Sequence, residues 1–143
     1  MRLGIESFVK IFVQFLKTTL KEFMMSQAKL INFSTADFSS KAEMQMNFNN
    51  WTSNKEKHLP KLKSLGMLRF TVLRVWNKEG AFRLGYIFEY KDEEAYKKCQ
   101  PIWQGIEGEI KNEAPVKIFA NRGIVLEDND LTWFYLKQFR NLG

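Results

Sequence analysis

The stretch that decides the fold runs from Met67 to Tyr90: MLRFTVLRVW-NKEG-AFRLGYIFEY. Its first ten residues, Met67 to Trp76, alternate, with Leu68, Phe70 and Val72 on one side and Arg69, Thr71 and Leu73 on the other, as a strand requires. Asn77-Lys78-Glu79-Gly80 is a hairpin turn in which Gly80 is free to take a positive φ. The returning strand, Ala81 to Tyr90, carries Phe82, Leu84, Tyr86, Phe88 and Tyr90 on one face.

Outward from this hairpin the chain is nearly symmetric. Upstream, a polar stretch beginning Ser39-Ser40 opens a long helical region through Leu65, which Gly66 closes. Before it, Lys29 to Ser34 reads as a short strand. Downstream, Asp92 caps a helix that begins Glu93-Glu94-Ala95-Tyr96, bends at Pro101 and runs to about Ile110. Pro115 then introduces a last strand, Val116 to Val125. Strand, helix, hairpin, helix, strand is the split βαβ order of an α+β, ferredoxin-like domain: a four-stranded antiparallel sheet with both helices on one face. We expect it to occupy residues 27–128, between an amphipathic helix in 1–26 and another in 129–143.

Both helices on one face leave the other face bare. If the row from Phe82 to Tyr90 lies there, it is too apolar to leave in water, and a second copy is the simplest cover. The same row could instead lie beneath the helices, and alternation alone does not choose. A homodimer is the expectation.

The first terminal stretch places Ile5, Phe8, Val9, Phe12, Leu16, Leu20 and Phe23 at helical spacing. Glu6, Lys10, Lys17, Lys21 and Glu22 interrupt it too often for a transmembrane helix, and no small-residue cleavage site follows for a signal peptide. Three readings stay open: a helix packed on the domain or a partner, which we adopt first; an amphipathic helix on a membrane surface; or an upstream extension, since Met24-Met25 would serve as a start. At the other end, Asp128 or Asp130 can cap a helix whose Trp133, Phe134 and Tyr135 exceed what one face can hide.

Composition narrows the function. With 45% hydrophobic and 27% charged residues in 143, the chain is globular and long enough for one domain. Thirteen Phe, four Trp and four Tyr are enough for a generous core or a lined pocket. The net charge of +6 is spread along the chain without an Arg-rich tract, so nucleic acid is not expected as a partner. A single cysteine, Cys99, excludes an internal disulfide and suits a reducing, cytoplasmic setting. One Cys and one His cannot build a Cys/His zinc site, no phosphate loop or nucleophile elbow is present, and neither a metal nor a cofactor is expected.

Several residues carry a family resemblance. Phe48-Asn49-Asn50-Trp51, then His58-Leu59-Pro60 with Leu62, then Gly66-Met67-Leu68 resemble the EthD-like proteins of the dimeric α+β barrel superfamily. Thr52 stands where those proteins usually have Tyr. Glu89-Tyr90 and Asp92 to Tyr96 suit that superfamily's third strand and second helix. The resemblance implies two ferredoxin-like subunits pressing their sheets together, with a cavity in each half for a small apolar or aromatic molecule. It further implies cofactor-free proton abstraction or oxygenation as candidate chemistry, with His58 as the base. Asn32, Trp51 and Trp76 are compatible with the Asn, Trp and polar residues that such oxygenases use, and we expect Trp51, Tyr86 and Trp103 to shape the pocket. From its own chemistry, a histidine such as His58 can act as a general base in a dry cavity; equally, Lys57 and Lys61 beside it mark a solvated helix face. A different class of function, a non-catalytic module recruiting a partner or membrane through its terminal helices, competes with this one.

Overall fold

A computed structural model describes residues 2–25, 27–110 and 115–131. Seven elements follow one another: α1 (Arg2–Met25), β1 (Leu30–Phe38), α2 (Lys41–Ser64), β2 (Met67–Arg74), β3 (Phe82–Tyr90), α3 (Glu93–Glu109) and β4 (Lys117–Ile124). After α1 the order is βαββαβ, and the strands form one sheet ordered β2-β3-β1-β4, antiparallel throughout. The ferredoxin-like expectation holds. The C-terminal helix expected in 129–143 lies almost wholly outside the described residues.

Local chemistry sets the boundaries. The Ser40 hydroxyl accepts from the Glu43 N–H at the start of α2, and the Asp92 carboxylate accepts from the Ala95 N–H at the start of α3. Gly66 ends α2 at φ +101°, and its carbonyl accepts from the Lys91 N–H. A Cβ built on Gly66 would stand 2.7 Å from the Cβ of Ala95, so the turn also lets α3 approach closely. Gly66→Ala therefore combines a left-handed backbone with an overpacked contact. We expect it to lower the unfolding free energy by about 2–4 kcal/mol, read from urea midpoints.

The aromatic row of β3 lies beneath the helices. Tyr90 packs with Leu62 of α2 and with Cys99 and Trp103 of α3, while Phe82 and Leu84 pack with Met44 of α2. The row therefore needs no second copy to hide it. β2 departs from simple alternation at its start: a bulge between Met67 and Arg69 buries Met67 and turns Leu68 outward, after which Phe70 and Val72 face the helices.

The opposite face of the sheet carries another set. Register places Phe33 of β1 between Ile87 of β3 and Asn121 of β4, and Thr35 between Gly85 and Phe119. Leu73 sits beside Gly85. Phe33, Phe119 and Leu73 are 50%, 55% and 45% exposed. Two ion pairs lie on this face: Arg83 grips Asp37 through both carboxylate oxygens, and Arg69 Nε stands 3.5 Å from Glu89 Oε2. The Asp37 carboxyl is held below its ordinary range chiefly by its hydrogen bond from Arg83.

α1 forms where periodicity placed it, but its apolar side chains from Ile5 to Leu20 stay exposed rather than packing on the domain. Ile5, Phe8, Ile11 and Phe15 are each more than three-fifths exposed. Among the described residues no helix is long and apolar enough to cross a membrane.

Candidate functional site

The inward face of α2 is polar where an amphipathic helix would be greasy. Asn47, Asn50, Asn54 and His58 recur every three or four residues, and Trp51 joins them on the same face. Under this stripe the sheet presents small residues on β1, Ser34 and Ala36, and large ones on β2 and β3, Phe70, Tyr86 and Phe88. Short side chains facing a row of Asn leave a gap. The result is a cavity of about 330 Å³ between α2, α3 and the sheet.

Its walls are aromatic and mutually braced. Trp51 meets Phe70 edge to face at 5.0 Å, and Trp103 of α3 meets Phe88 in the same manner at 5.0 Å. Trp51 and Trp103 lie 5.8 Å apart, and Phe70 touches both. The Trp103 indole N–H donates to the Tyr90 hydroxyl at 3.1 Å, which fixes the ring and satisfies a buried pair.

One polar pair is built into this wall. The Tyr86 hydroxyl donates to Asn47 Oδ1 at 3.2 Å, and Asn47 is the buried polar residue among those described. Burial pushes the Tyr86 phenol up to about 12, so at neutral pH it is a donor and not a base. The Asn54 amide donates to both the backbone and side-chain oxygens of Asn50, at 2.9 Å each, and accepts from Lys57 Nζ at 2.9 Å, pinning the middle of the stripe. His58 closes it at the rim, where Nε2 stands 3.9 Å from Glu109 Oε2 near the end of α3. Its side chain is 18% exposed, which makes it a partly shielded rim group rather than a fully solvated one.

The Tyr86 shift has a measurable consequence. Its folded value lies above the unfolded phenol's, so the stability it confers is complete below pH ~10 and is lost as the pH rises toward 12. Burial shifts Tyr90 in the same direction. We expect Tyr86→Phe to remove up to about 2 kcal/mol of the alkaline loss in that window, with Tyr90 and the buried Cys99 thiol among the groups supplying the remainder. Urea denaturation of both proteins at mildly and strongly alkaline pH reads the difference.

Of the residues picked out in the sequence, His58, Trp51, Tyr86 and Trp103 come together here. Asn32 and Trp76 do not. Asn32 lies on the helix-covered face beside Phe88 and Arg122 but outside the lining, with its Oδ1 buried and without a hydrogen-bond partner among the described residues. Trp76 sits two residues past the end of β2, where strand pairing has given way to the hairpin, and is 86% exposed. Asn47 and Asn50 were missed, although Asn at helical spacing ahead of Trp51 was the signal. Cys99 is buried, its thiol pushed up by desolvation, and plays no part in the lining. Among the described residues no three His, Cys, Asp or Glu side chains converge on a metal site.

The family profile described as "Domain of unknown function (DUF6974)" matches residues 27–125. No curated protein matches the chain. Two solved structures from uncultured marine organisms, each described as a dimeric ferredoxin-like protein, are similar. One is 27% identical with a TM-score of 0.64, covering 72% of this chain and 100% of its own. The other is 26% identical with a TM-score of 0.63, covering 74% and 95%. A monooxygenase of Streptomyces coelicolor, solved with the ligand Nanaomycin D, is 11% identical with a TM-score of 0.55 over 71% of this chain and 91% of its own, and shares the fold. These likenesses carry the ferredoxin-like superfamily; none of them is to an EthD-like protein.

Proposed function

We propose that this chain, which belongs to the DUF6974 family, works as a homodimer in which each subunit holds one small, flat aromatic molecule between α2, α3 and the sheet. The observation that carries the reading is the cavity itself, walled by Trp51, Phe70, Phe88 and Trp103 with the Tyr86–Asn47 pair set into it. Apolar walls with a few fixed polar groups are what a small-molecule site needs, and the volume falls in the usual range. A cavity of ~150 Å³ takes one benzene ring, so this one suits two or three fused rings. Asn and Tyr side chains favour a ligand with hydroxyl or carbonyl oxygens at its edge. The dimeric description of the two marine proteins supports the assembly.

For chemistry we propose cofactor-free oxygenation of a phenol by dioxygen. The His58 imidazole at the rim takes the hydroxyl proton, and the aromatic walls exclude water from the electron-rich phenolate. A ring carbon of the phenolate bonds to dioxygen to give a hydroperoxide, whose O–O bond breaks as the carbon loses its hydrogen, so that phenol and dioxygen become quinone and water. Glu109 beside His58 would steady the imidazolium that forms.

Titration of the full chain with 1,5-dihydroxynaphthalene and with a dihydroxyanthraquinone tests both levels. Saturable quenching of Trp emission is expected, with a thermal midpoint raised by several degrees, because ligand at a hundred times its Kd stabilises by about 2.7 kcal/mol. Oxygen uptake with these phenols should be lost in His58→Ala while quenching persists. Flat emission and an unmoved midpoint across both compounds would end the binding proposal; undiminished oxygen uptake by His58→Ala would remove His58 as the base.

A further inference from the structure

α1 is a second binding element, separate from the cavity, and we propose that it lies flat on an anionic membrane surface. At about 100° per residue, Ile5, Phe8, Phe12, Phe15 and Leu16 belong to one apolar arc roughly 200° wide. Lys10 and Lys17, with Glu6 and Gln14, fill the narrow remainder. All five of those apolar side chains are exposed, so the domain does not cover them.

The width of the arc chooses the occupant. A helix pairing with a second copy of itself buries a narrow seam, whereas this arc would leave half its width in water. A bilayer surface accepts the whole arc, because an interfacial helix sinks to about its midline. Two further features fit. Thr19 falls in the middle of the apolar arc, but its hydroxyl donates to the Phe15 carbonyl at 2.9 Å, so no unpaired donor enters the acyl region. Lys10 and Lys17 lie side by side on the polar face opposite that arc, in a chain of net charge +6, which complements anionic headgroups. Among the described residues no helix is long and apolar enough to cross a membrane.

The test is co-sedimentation of the full chain with vesicles of phosphatidylcholine alone and of phosphatidylcholine with about a third phosphatidylserine. The protein should pellet with the anionic vesicles. Lys10→Gln with Lys17→Gln should weaken that binding by about 25-fold, at roughly fivefold per lysine, while changing binding to neutral vesicles little. Phe8→Glu with Phe12→Glu should reduce pelleting to background without moving the thermal midpoint of the domain, since α1 is not part of its core. Wild-type protein left in the supernatant with both vesicles would overturn the proposal. So would pelleting that the Phe8 and Phe12 changes leave intact, or an oligomer that those changes break up in the absence of lipid.

Discussion

Phe33→Glu should turn the proposed dimer into a monomer, raising its dissociation constant by a factor on the order of 10³ or more. The reasoning starts from the face that the helices leave open. Phe33 sits at the centre of β1, an inner strand, with Ile87 on one side and Asn121 on the other, and half of its surface is exposed in the single subunit. Phe119 and Leu73 continue the apolar surface one step along the sheet. Two-fold packing would bring this patch against itself, so one substitution enters the interface twice. Each copy would lose about 2 kcal/mol of apolar burial and place a carboxylate in a desolvated interface, at a cost of several kcal/mol per ion. The lone subunit should fold as before, because position 33 points away from its core. Sedimentation velocity over a range of concentrations reads the outcome. Wild-type protein that stays monomeric at about millimolar concentration would refute the assembly while leaving the cavity untouched.

The part of the fold written in local chemistry was open to reading from the sequence. Ser40, Gly66, Gly80 and Asp92 each mark a boundary through one hydrogen bond or one backbone conformation, and those boundaries fall within a residue or two of the expected ones. What depends on three-dimensional partners was less legible. Alternation put Phe82 to Tyr90 on one face but could not say which, and the face turned out to be the one under the helices. The bulge after Met67 shifts the first inward side chain of β2, and nothing in a short apolar run announces an extra residue. The site was half visible. Trp51 and His58 stand seven residues apart on one helix and both line the cavity, whereas Asn47 and Asn50 beside them were not picked out as site residues. Amphipathic patterning assigns polar residues to solvent, and a cavity reverses that assignment. Trp76 failed for the opposite reason: a strand aromatic suggests burial, but the pairing ends at Arg74.

Trp103→Ala is the substitution expected to damage the protein most. Trp103 is 9% exposed and touches Trp51, Phe70 and Phe88, so it holds α3 to both the sheet and α2. Removing a buried indole costs about 3–5 kcal/mol through lost burial and the space left behind. That space opens into the cavity already present, so the neighbouring rings lose a wall and nothing takes its place. The hydroxyl of Tyr90, a fully buried residue in the parent, also loses its donor, which costs a further ~1 kcal/mol. Against a total stability of about 5–15 kcal/mol for a domain of this kind, the variant should sit near its threshold and unfold at much lower urea. Trp103→Phe separates the contributions. It keeps most of the ring contacts and removes the N–H, so its loss should be about 1–2 kcal/mol, and it should still bind dihydroxynaphthalene. If Trp103→Ala proved as stable as the parent, the indole could not be the brace between α3 and the sheet, and the cavity would lack the rigid wall on which selective binding of a flat ligand depends.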